Sequence, residues 1–178
     1  MRRLIQKILA SLAILATLSV PALAQQGRGP STVDEHARVI ALAATADKDP
    51  LGTMASPDRR WLEKWVDEVP DYQFGPDNGL FWFATTAAKG DLKRVLRFHH
   101  TVSTAAFQVQ NKITDPRKSP ADMDAKTLAG VEGLLRAYES LLAKNPDNRS
   151  DKLDEAIVMR NKGALAAFVK ALPPMPAR

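Results

Sequence analysis

A chain of 178 residues, 45% hydrophobic and without cysteine, suits one domain and excludes disulfide staples, thiolate nucleophiles and cysteine-held metals. Its formal net charge is +5, but Arg2, Arg3 and Lys7 supply three of those charges, which leaves +2 on residues 25–178. So small a basic excess is not a nucleic-acid footprint.

The first 24 residues read as a secretory signal peptide. Basic Arg2, Arg3 and Lys7 precede an apolar run over residues 8–20, and Pro21-Ala22-Leu23-Ala24 offers the small-x-small pattern of a cleavage site. The run is 13 residues long, short of the roughly 20 a spanning helix needs. With no cysteine after the cleavage point, a lipid anchor is excluded. The sequence therefore predicts export to a bacterial-type periplasm or the extracellular space, with Gln25 as the new N-terminus. No later apolar stretch approaches spanning length, so a soluble mature protein without stable membrane insertion is expected. The chain divides into signal (1–24), flexible lead (25–30), one helical domain (31–172) and a Pro-rich tail (173–178).

Within the domain almost everything reads as helix. Ser31 is placed as the cap of a first helix over about 32–48, answered by Asp34, with Val33, Ala37, Ile40 and Ala44 as its apolar face. Asp49-Pro50 ends it. Ser56-Pro57-Asp58 starts a second, which carries Trp61, Leu62, Trp65, Val66 and Val69 at helical spacing up to Pro70. Residues 72–79 read as irregular, with turn chemistry in Gly75-Pro76-Asp77-Asn78-Gly79. A short helix over about 80–88 holds Phe81, Trp82 and Phe83. Successive helical positions point about 100° apart, so three adjacent rings predict an interior helix. A helix from Asp91 to about Ile113 follows, with the apolar line Leu92, Val95, Leu96, His99, Val102, Ala106, Val109 and Ile113. The next spans 120–144, with Leu128, Val131, Leu135, Tyr138 and Leu142 at bundle-seam spacing. The last is expected as one rod over 151–171, with Leu153, Ile157, Ala164 and Phe168 inward. No strand is evident. The expected fold is all-α: an up-down helical bundle of about four long helices, with two short aromatic-rich helices packed on its side or end.

Two fragments bear a family likeness. Ala87-Ala88-Lys89-Gly90-Asp91-Leu92, with Val95-Leu96, resembles the helix-turn-helix core of an ankyrin repeat. Residues 141–148, with their Asn-Pro-Asp-Asn turn, are similar to the end of a tetratricopeptide repeat. Each covers one partial unit, and no further copy follows at about 33 or 34 residues. Both are read as generic helix-turn-helix chemistry.

Eight of the eleven aromatic residues lie within 61–98, all three tryptophans among them. They suit either a core of large rings or an aromatic groove for an apolar or planar ligand, a sugar or a proline-rich peptide. The speculative ligand-binding set is Trp61, Trp65, Tyr72, Trp82 and His99. Residues 98–111 carry no formal charge but many hydrogen-bonding side chains, as suits a helix covered on several sides, an oligomer interface or a ligand-lining wall. His99 lies on the apolar line and His100 points elsewhere, so the pair cannot grip one metal from one face. No nucleophile elbow, phosphate loop, zinc-protease or haem-attachment motif is present. No catalytic residue, cofactor or metal is implied. The expected role is non-catalytic contact with another protein or with itself. Alternatives are a small-molecule binder with an aromatic and histidine pocket, or an enzyme with a His-centred site.

Overall fold

The structure is a computed structural model that describes residues 28–75 and 90–172. It is all-α, and no strand occurs among the described residues. In chain order, α1 spans Val33–Lys48, α2 Pro50–Ala55, α3 Pro57–Glu68, α4 Gly90–Asn111, α5 Pro120–Lys144, α6 Asp151–Asn161 and α7 Leu165–Lys170. Single 3-10 turns at Pro116–Lys118 and Pro146–Asn148 lead into α5 and α6. The proposed helix over 80–88, with Phe81, Trp82 and Phe83, lies outside the described residues, as do the signal segment and the tail.

Proline and a capping side chain set most of the starts. Asp49, Ser56 and Ser119 each cap a helix whose first residue is proline, and each accepts a backbone N–H from the first turn. Three expectations are corrected. The cap of α1 is Thr32, which forms a reciprocal capping box with Glu35, and Ser31 is used elsewhere. The buried face of α1 is Val39, Leu42 and Ala46, whereas Val33 is 82% exposed. The last rod is two helices: Gly163 adopts φ +70°, Gly163 N donates to Arg160 O, and Ala164 N donates to Met159 O. That Schellman closure ends α6. The chain then turns so that Leu165 and Val169 face inward.

α4 is the partition of the domain. Leu92, Val95 and Leu96 join α5, α6 and α7 in one apolar cluster. Phe98, Val102, Ala105, Ala106 and Val109 join α1 and α3 in a second. Leu62, Leu96, Leu134, Leu135 and Leu153 are fully buried, each a contribution of about 1.5–3 kcal/mol relative to exposure. Tyr138 on α5 fixes the start of α6. Its hydroxyl donates to Asp154 Oδ1 at 2.9 Å and accepts from Ser150 N at 2.7 Å. Burial, seconded by Asp154, pushes that phenol up to about 12.

The most extensive helix contact is α4 on α5. It is close because α5 presents Gly130 and Gly133 to His99, His100, Ser103 and Thr104. A Cβ at Gly133 would stand 1.9 Å from Ser103 Oγ and 3.0 Å from the His99 carbonyl. Gly133→Ala is therefore expected to destabilise the protein by about 1–3 kcal/mol, despite the roughly 1 kcal/mol that alanine gains over glycine in a helix interior. Urea denaturation reads this directly, and an unchanged or raised midpoint would mean that the two helices do not touch at this seam.

Candidate functional site

The aromatic residues of α3 and of the segment after it form one cluster. Trp61 stacks on Trp65 at 6.1 Å, Trp65 lies 5.4 Å from Phe74 and 6.1 Å from Tyr72, and Tyr72 stacks on Phe74 at 5.7 Å with 9° between planes. Trp65 and Tyr72 are buried, and Trp61 is half-buried. The protein's own cations cover the tryptophans. The Arg38 guanidinium sits 4.1 Å over the Trp61 ring and pairs with Asp58, and Arg28 sits 5.9 Å over Trp65 and pairs with Glu35. Of the five residues singled out from the sequence, Trp61, Trp65 and Tyr72 come together and Trp82 lies outside the described residues. His99 is turned away: it donates from Nε2 to the Pro50 carbonyl at 2.9 Å, where α1 gives way to α2.

A cleft of about 940 Å³ opens between α3 and the N-terminal half of α4. Its floor is Phe98 with Tyr72 and Phe74 from the extended segment after Pro70. Buried side chains hold that segment. Gln73 N donates to Thr114 O at 2.7 Å, Gln108 Nε2 donates to both Gln73 O and Ile113 O, and Lys126 Nζ reaches the Phe74 carbonyl. Gln108 and Lys126 are both wholly buried, which accounts for these polar groups inside an otherwise apolar packing. The α4 wall carries Lys93, Arg97 and Thr101 at successive i, i+4 positions, the two cations exposed. The α3 wall carries Arg59, Glu63 and Asp67, of which Arg59 and Glu63 neutralise one another at 2.8 Å. The cleft is therefore an apolar floor beneath a cationic wall.

The speculative ligand-binding set left out Lys93, Arg97, Phe74 and Phe98, although Phe74 and Phe98 belong to the aromatic concentration over 61–98. The two cations look like any solvated helix face, and only the return of the 72–74 segment beneath them makes a wall. A second locus was also missed. Ser31 N and Oγ donate to the two Asp71 carboxylate oxygens at 2.8 and 2.6 Å, and His36 Nε2 donates to Ser31 Oγ at 2.6 Å. Burial pushes the Asp71 carboxyl up, but the Ser31 hydrogen bonds outweigh it, with His36 adding to them, and hold it below the ordinary carboxylate range. The residue types are those of a hydrolase triad, but the carboxylate grips the hydroxyl rather than the imidazole. The arrangement is a clasp that ties the start of α1 to the floor segment. Among the described residues no group of His, Asp and Glu could hold a metal ion, and no helix is long and apolar enough to cross a membrane.

Comparison with family models, with curated proteins and with solved structures gives no match.

His99 gives the site region a pH signature. Burial pulls its imidazole below the ordinary histidine value, offset only in part by the Pro50 carbonyl and Asp47. The unfolded chain therefore binds this proton more readily than the folded one. The stabilisation is complete above the ordinary value of about 6.5 and is lost as pH falls below it, down to the depressed native value. The urea midpoint is expected to drop as pH falls below about 6.5, and His99→Gln, which retains an N–H for Pro50 without titrating, should flatten that slope. Equal slopes in the two proteins would show that the imidazole is not held neutral.

Proposed function

We propose that this chain is an exported, non-catalytic helical protein that works by docking a protein partner in the cleft between α3 and α4. One observation carries the reading: an apolar floor locked in place by buried Gln108 and Lys126 stands beneath an exposed cationic helix face. Rigid apolar floors with polar rims are what protein interfaces use for their anchors. Export rests on the basic, apolar and small-residue order of the first 24 residues. Two features weigh against a ligand pocket walled by Trp61, Trp65 and His99. The tryptophans already carry Arg38 and Arg28, and His99 is committed to Pro50. The wrong order of hydrogen bonds in the Ser31 clasp weighs against catalysis there. In this reading the domain is an up-down bundle of α1, α4, α5 and, as a fourth member, the broken pair α6 and α7.

A photo-crosslinking side chain introduced at Thr101, on the α4 wall, should capture a discrete protein adduct in the native cell envelope. The same side chain at Lys152, on α6, should not. Protein recovered from that envelope should begin at Gln25. Absence of an adduct at position 101, or equal capture at both positions, sinks the docking reading; mature protein that retains Met1 sinks export.

A further inference from the structure

The proposal above leaves the partner's chemistry open, and resting on that reading, the geometry of the cleft names it. We infer that the cleft takes an extended peptide segment whose side chains alternate between acidic and apolar. Lys93, Arg97 and Thr101 are four residues apart along α4, so they recur about every 6 Å at 1.5 Å per residue. Side chains on one face of an extended chain recur about every 6.4–6.8 Å. The two periods match closely enough for carboxylates at alternate positions of a peptide to meet Lys93 and Arg97, with a hydrogen-bonding position left for Thr101. The intervening side chains then face the Phe74 and Phe98 floor.

Charge selects the sign. Lys93 and Arg97 are exposed and pair with no acid among the described residues. Across the cleft Glu63 is already neutralised by Arg59, which leaves Asp67 as the opposing charge. A basic segment would meet Lys93 and Arg97, which pair with no acid among the described residues, against Asp67 alone on the facing wall, whereas an acidic one satisfies the excess. Such complementarity acts on selectivity and association rate more than on raw affinity.

Fluorescence anisotropy on the protein as exported by its native host tests this with two labelled twelve-residue probes, one alternating Glu with Leu and one alternating Lys with Leu. The Glu-Leu peptide should bind and the Lys-Leu peptide should not. K93E/R97E should weaken the first by at least about tenfold and admit the second. K144E/K162E, which reverses two exposed cations away from the cleft, should change neither by more than about twofold. Equal binding of both probes, binding of neither, or a K93E/R97E protein that binds as the parent does, would overturn the inference. So would binding to phosphatidylglycerol vesicles that K93E/R97E abolishes while peptide binding is untouched, since the cations would then serve a bilayer. The crosslink at position 101 separates the two levels. An adduct that persists in K93E/R97E keeps the cleft as the docking surface and overturns only the acidic partner; no adduct even in the parent removes the cleft itself.

Discussion

The contact on which this fold depends is the close approach of α4 to α5 at Gly130 and Gly133. Two helices that carry ordinary side chains at their crossing stand 8–10 Å apart. Here α5 has no side chain where α4 presents the His100 ring, Ser103, Thr104 and the His99 carbonyl, and all four residues are buried. The buried hydroxyl of Thr104 then bonds within its own helix, to the His100 and Thr101 carbonyls. A solvated helix could leave such groups to water. A helix covered on both sides must satisfy such groups inside the protein, as Thr104 does within α4 and His99 does at the Pro50 carbonyl.

That covering decides how little of α4 is left exposed. Because α4 is closed by α5 on one side and by α1 on another, its exposed residues, among the described side chains, are Lys93, Arg94 and Arg97 near its start and Gln110 and Asn111 at its end, with Thr101 half-buried between them. The aromatic cluster beside it is spent on structure: Trp65 fills the second core, and arginines from α1 and from the residues just before it lie over the tryptophan rings. What remains open to the cleft is the edge of that cluster, Tyr72 and Phe74, held from beneath by Gln108 of α4 and Lys126 of α5.

Helix starts were the most legible part of this chain. Ser56-Pro57 and Ser119-Pro120 carry cap and pre-set φ in adjacent residues, and both begin helices where the sequence placed them. The face of α1 was not legible, because alanine marks it so densely. Ala37, Ala41, Ala43, Ala44 and Ala46 fit more than one phase of a 3.6 period, and the larger Val39 and Leu42 decide which one is buried. The break at Gly163 was hidden for a different reason. A glycine inside a periodic run looks tolerable until the chain needs a positive φ, and that need arises only from folding Leu165 and Val169 back onto α5. The cleft was least legible of all. It joins residues about thirty positions apart, and no local pattern distinguishes its cations from solvated ones.

The clasp at Ser31 makes the two ends of this region thermodynamically one. Asp71, which holds Ser31, is covalently next to Tyr72, and the His36 imidazole that completes the clasp meets the Tyr72 ring edge-on at 5.5 Å. Displacement of the floor ring thus disturbs the residues that anchor the first turn of α1, and fraying of that turn releases the floor. Linkage of this kind is reciprocal: on the docking proposed for the cleft, whatever free energy an occupant lent to order at the N-terminal edge, that edge, once fixed, would return to the occupant as affinity.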